Sequence, residues 1–183
     1  MRLRYVRLDP EERSIDLSRP IVLAAFGETD KRSGWYELNR GRLRELVYED
    51  RYYGGLSKAE NADRFLFTRE TFREFPDLHV GDAGFSSLTR VTDANPHQAE
   101  YTWGRRILFE FENRQGVRLQ GTLAIPDDYQ PGQRLPMLVN FYEKNSQNLH
   151  RYQTPSYNHR PQFAAFVSNG YLVMQPDIHF NLR

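Results

Sequence analysis

The 183-residue chain contains no cysteine. Disulfides, thiol nucleophiles and cysteine-based zinc sites are therefore excluded. Long apolar runs are missing as well, since none approaches the ~20 residues that span a bilayer. The opening stretch, MRLRYVRLDPEERS, has no apolar h-region, so no secretory leader is read there. No membrane partner is expected, and cytoplasm and periplasm are both compatible with the chain. An excess of one charge is also lacking. Twenty-five basic residues face 24 acidic ones, for a net charge of +1. That balance gives no electrostatic footprint for nucleic acid or for an anionic membrane. The charges are interspersed rather than blocked and read as solvated faces.

Nucleotide and metal signatures are equally scarce. The sequence has no G-x-G-x-x-G and no Walker A motif. Its histidines are His79, His97, His150, His159 and His179, and none forms an H-x-x-x-H or H-E-x-x-H spacing. His150 and His159 lie among Asn and Tyr and read as surface residues. No cofactor and no metal is expected. What is plentiful is aromatic: 12 Phe, 11 Tyr and 2 Trp make up 14% of the chain, beside an apolar content of 39%. These rings bury enough area for a packed core, and the composition is not that of a disordered chain. The length admits one domain or parts of two.

The first hundred residues read as antiparallel β. Ile21 to Phe26 is a compact apolar run, Trp35 to Leu38 a second strand, and Leu43, Leu46 and Tyr48 mark a third. Asn39-Arg40-Gly41 makes the tight turn between the last two. The pattern then partly repeats, with strands at Arg64 to Thr68, Asp77 to Val80 and Leu88 to Val91. Ile21 and Phe65 are 44 residues apart, near the length of a four-stranded propeller blade. On pattern alone an ordinary antiparallel sheet or sandwich fits equally well.

The polar and aromatic stretch His97 to Arg106 marks a boundary, and the style changes after it. Leu108 to Asn113 and Arg118 to Ile125 form a hairpin around a Gln115-Gly116 turn. A loop follows, with Pro131-Gly132 as its turn. Met137 to Tyr142 is dense in apolar residues, as a central strand covered on both faces would be. Gln162 to Asn169 has Phe163, Phe166 and Val167 at helical spacing, and Gly170 supplies the stop. Tyr171 to Met174 is a short strand ending in Gln175-Pro176-Asp177. Strand, helix and strand in that order predict a βαβ unit and the start of a mostly parallel sheet.

These residues carry a resemblance. FENRQGVRLQGTLAIPDDYQPGQRLPMLVNFY, followed by FAAFVSNGYLVMQPD, resembles the start of the catalytic domain in the prolyl oligopeptidase family of serine peptidases. The matching positions are Gly121, Leu123, Pro126, Tyr129, Pro131, Gly132, Pro136, Tyr142, Phe163, Ala164, Gly170, Tyr171 and Val173. Glu143-Lys144-Asn145 departs from the glycines and proline usual after the tyrosine, and Ile178-His179-Phe180 from the D-x-R-G pattern. The resemblance implies a mixed fold: antiparallel β as partial β-propeller blades over residues 1–100, then the N-terminal part of an α/β-hydrolase domain over 101–183. It implies peptide substrates, and a propeller that restricts access to the site.

The same resemblance sets what chemistry the chain holds. Members of the family use a Ser-His-Asp triad with the serine on a G-x-S-x-G elbow. No such elbow occurs here, and Gly84-Phe85-Ser86-Ser87-Leu88 lacks the closing glycine. Nucleophile and triad are expected downstream of Arg183. By match, Tyr142 is the candidate oxyanion-hole donor, its hydroxyl aimed at developing negative charge. Asp177, at a strand end, reads as a structural residue, and Asp127-Asp128 as turn formers without a catalytic role. Two other classes fit the pattern: a non-catalytic propeller-type binding module, and an esterase or glycan-processing hydrolase on the same fold. A partial propeller leaves open sheet edges and a partial α/β sheet an uncovered apolar face, so the chain alone is expected to form a homo-oligomer or to aggregate.

Overall fold

A computed structural model describes residues 1–156 and 161–180. The chain forms two compact units, Met1–Ala94 and Asn95–Arg183. It is tied to the first unit as far as Ala94, whose N–H donates to Asp77 Oδ1 at 2.9 Å.

The first unit holds two four-stranded antiparallel sheets, each a meander in chain order. One comprises β1 (Arg2–Tyr5), β2 (Ile21–Phe26), β3 (Ser33–Asn39) and β4 (Arg42–Glu49). The other comprises β5 (Tyr52–Lys58), β6 (Arg64–Glu70), β7 (Asp77–Asp82) and β8 (Leu88–Arg90). Six of these strands follow the sequence reading, while β1 and β5 are additions. Strand β1 is short, half charged and mostly exposed, so no apolar period announces it. Strand β5 contains Gly54-Gly55, which resembles a turn in sequence. In the fold that pair sits at a bulge, where the register against β6 shifts between Gly54 and Ser57 and Gly55 has φ +64°. Four-stranded antiparallel meanders in succession are consistent with β-propeller blades.

The core of this unit is aromatic. Phe65 and Phe67 alternate on β6 and so share one face. They pack with Trp35, Val47, Tyr53 and Phe85. Phe67 is 0% exposed, and Trp35 sets its ring edge against Tyr53 at 5.0 Å and Phe67 at 4.9 Å. Phe85 has φ +55°, a conformation that costs energy for a residue with a Cβ. Burial of its ring among Trp35, Phe65 and Phe67 offsets that cost.

The second unit opens with the hairpin β9 (Arg105–Glu112) and β10 (Arg118–Ile125). Strand β11 (Met137–Val139), helix α1 (Phe163–Ser168) and β12 (Leu172–Pro176) follow. The sheet order is β11-β12-β10-β9. Strand β12 runs parallel to β11 and antiparallel to β10, which is itself antiparallel to β9. The strand–helix–strand unit is present, but among the described residues the sheet is mixed rather than mostly parallel. The hairpin enters it antiparallel, and only the crossover through α1 produces a parallel pair.

Strand β11 also differs from expectation. It was expected to run from Met137 to Tyr142 with both faces covered. It has three residues, lies at the sheet edge, and leaves Met137 45% and Val139 44% exposed. Among the described residues only its β12 side is paired, which leaves these side chains uncovered. Helix α1 ends as its sequence indicates. Gly170 has φ +80°, its N–H donates to Val167 O, and the Tyr171 N–H donates to Phe166 O at 3.0 Å. The Phe166 and Tyr171 rings meet at 5.5 Å, completing a Schellman stop.

Candidate functional site

Tyr142 is placed by its neighbours' backbone. It lies on an arch between β11 and a short 3-10 turn, Ser146–Asn148. On one side of Tyr142, the Asn140 N–H donates to Met174 O on β12 at 2.9 Å. On the other, the Ile178 N–H donates to Glu143 O at 2.9 Å. Beyond that, Asp177 receives three hydrogen bonds. Its Oδ1 accepts the N–H groups of Asn145 at 2.7 Å and Ser146 at 2.8 Å, and its Oδ2 accepts the Ser146 hydroxyl at 2.5 Å. Ser146 is 1% exposed and Asp177 7% exposed. Asp177 is itself fixed as the last sheet-bonded residue, its N–H donating to Gln120 O at 2.8 Å.

A second strand steadies the far end of the turn. Arg106, on β9, donates through Nη1 to Asn148 O at 2.7 Å and to Arg151 O at 3.3 Å. Burial pushes its guanidinium down to about 10, because charge is costly away from water. Within this frame the Tyr142 side chain is 74% exposed. It lines an open cavity of about 630 Å³, together with Asn145, Gln147, Asn148, His179 and Phe180. The cavity therefore offers a phenolic hydroxyl and several side-chain amides as hydrogen-bond donors. Ser146 is not a nucleophile here. Its hydroxyl is buried and donates to a carboxylate.

The other residues singled out in the sequence take ordinary places. Asp127 is exposed and its Oδ2 accepts the Gly104 N–H at 3.3 Å, a loop-holding contact. Ser86 sits in a turn closed by Asp82, whose Oδ2 accepts its hydroxyl at 2.5 Å. His79 belongs to the aromatic core of the first unit: its ring stacks on Phe67 at 5.9 Å and its Nδ1 lies 3.0 Å from Asp77 O. His97 is exposed beside Glu100. His150 is half-buried rather than a fully exposed surface residue. His159 lies outside the described residues. Among the described residues no group of acidic and histidine side chains is arranged to hold a metal ion. No described helix is long and apolar enough to cross a membrane.

The sequence pointed to Tyr142 and marked Asp177 as structural, but did not connect them. Ser146 and Arg106 were not anticipated. Their partners are 31 and 42 residues away or more, beyond the reach of any local pattern.

No protein-family model matches the sequence, and no curated protein matches it. Solved structures do match the fold. Porphyromonas gingivalis dipeptidyl peptidase 4 aligns over 96% of the chain with a TM-score of 0.68 and 17% identity. The isopeptidase AtxE2 aligns over 87% with a TM-score of 0.67 and 15% identity. Pyrococcus horikoshii acylaminoacyl peptidase aligns over 86% with a TM-score of 0.61 and 18% identity. The chain spans only 23–24% of these proteins' own lengths. At such identities the likeness is one of fold.

Proposed function

We propose that this chain is a segment of a serine peptidase of the prolyl oligopeptidase type, which hydrolyses peptide bonds in oligopeptides by Ser-His-Asp acyl transfer. Residues up to about Ala94 are the closing blades of its propeller, and the remainder opens its α/β-hydrolase domain. Nucleophile, acid and base lie outside the 183 residues. Tyr142 contributes its hydroxyl to the oxyanion hole. The observation that carries this reading is the fold likeness to three peptidases, each extending over at least 86% of the chain and so over both units. The arch supports it further, because it fixes the backbone that carries a hydroxyl donor beside an open cavity. Oxyanion catalysis requires a donor whose position is set before the charge develops.

The test uses the full-length protein that contains this segment. It should carry a G-x-S-x-G elbow downstream, and that serine should be labelled by a fluorophosphonate. It should also cleave aminoacyl-peptide substrates in preference to simple acyl esters. The 183-residue chain alone should take no label. A full-length protein without a reactive serine overturns the proposal, and a clear preference for esters reassigns it to an esterase.

A further inference from the structure

We propose that Asp177 is a positioning residue for Tyr142: its carboxylate, by latching the Asn145 and Ser146 amides and the Ser146 hydroxyl, holds the arch that aims the tyrosine hydroxyl. This rests on the oxyanion reading of Tyr142 and extends it to residues to which no role has been assigned.

The geometry points this way for three reasons. First, Asp177 accepts three hydrogen bonds, at 2.5 to 2.8 Å, from one short turn and the residue that caps it, and that capping residue, Asn145, lies three residues after Tyr142. A carboxylate bonded to two backbone N–H groups and a hydroxyl is a charge-assisted contact, about twice as strong as neutral bonds. Second, the latch has no solvent-facing task, since Asp177 is 7% and Ser146 1% exposed. Third, Tyr142 is 74% exposed, so little packing against the described residues holds its ring. What the arch fixes is the backbone from which the side chain springs. The Ile178 N–H, next to Asp177, closes the same arch on Glu143 O. The strand end that carries the carboxylate thus sets both the turn after Tyr142 and the residue beside it. A donor misplaced by about 1 Å loses much of its effect on a transition state.

The experiment is a double-mutant cycle in the full-length enzyme, read as kcat and KM on a peptide substrate. Tyr142→Phe alone tests the underlying oxyanion reading and should lower kcat by about 100-fold with little change in KM. Asp177→Ala in the unmodified enzyme should lower kcat by about 10-fold or more. In the Tyr142→Phe background the same change should cost less than about 3-fold, because the hydroxyl it positions is already gone. Asp177→Asn keeps an acceptor for the two amides and should retain most of kcat, which guards against a variant that fails to fold. Equal losses from Asp177→Ala in both backgrounds, or an unchanged kcat, overturn the positioning role. An unchanged kcat in Tyr142→Phe instead removes the oxyanion reading, and the positioning role with it.

Discussion

Ser146 Oγ donates to Asp177 Oδ2 across 2.5 Å, with both side chains closed off from water. Removing the acceptor leaves two N–H groups and one hydroxyl to find new partners in a confined place. Each orphaned donor costs about 1–3 kcal/mol. Asp177→Ala should therefore accelerate hydrogen exchange at the Ser146 amide by at least about 100-fold, since each 1.4 kcal/mol of opening energy is about tenfold. Ser146→Ala removes one hydroxyl donor and should move the same amide by about tenfold or less.

Phe67 is the most enclosed ring of the first unit. Phe67→Ala should destabilise that unit by about 3–5 kcal/mol, combining lost transfer energy with a cavity bounded by Trp35, Tyr53 and Phe85. Urea denaturation followed by tryptophan fluorescence should show the midpoint falling, because Trp35 packs directly on the deleted ring.

His79 gives the first unit a pH dependence of known sign. Burial holds its imidazole below the ordinary histidine range, with the Asp77 carbonyl acting the other way. The unfolded chain therefore takes up the proton first, near pH about 6.5. Stability from this group is complete above that pH. It declines as pH falls through it, until the folded ring also protonates. The urea midpoint should drop between about pH 7 and about pH 5, and His79→Gln should flatten that drop. An equal slope in the variant would assign the dependence to other groups.

The β3–β4 turn carries a correctable strain. Arg40 has φ +48° and Gly41 φ +77°, the backbone of a type I′ turn. Asparagine tolerates the first position better than arginine does. Arg40→Asn should stabilise the first unit by about 0.5 kcal/mol, read as a small rise in its urea midpoint.

Strand β11 presents its outer edge unpaired, flanked by Met137, Val139 and Phe141 at 45%, 44% and 65% exposure. Exposed apolar edges recruit other strands. The 183-residue chain should self-associate by light scattering in a concentration-dependent way. Val139→Lys should shift it toward the monomer. A monodisperse monomer at about 100 μM would refute this, on the scale where such edges associate.

How much of this was legible in the residues depends on the range of the interaction. Strands β2, β3, β6 and β10 carry apolar runs or alternation within a few positions, so their faces follow from the sequence. The stop of α1 follows from Gly170 alone. Strand β5 was hidden because its glycines mark a bulge rather than a turn, and only the pairing with β6 distinguishes the two. The length of β11 depends on which of its edges is paired, which no property of MLVNFY states. Tyr142 could be singled out by motif, but its anchoring could not. That anchoring comes from Asp177 and Arg106, whose contacts join segments far apart in the chain.

The arch around Tyr142 has one more consequence. Its fixed points are the backbone of Asn140, Glu143, Asn145 and Ser146, with Asp177 supplying the only carboxylate. The side chains of Glu143 and Lys144 are exposed and line the same cavity as Tyr142. A change of charge or size at these two positions therefore removes none of the arch's hydrogen bonds. Backbone atoms and one carboxylate hold the arch, while the side chains it carries face whatever enters the cavity.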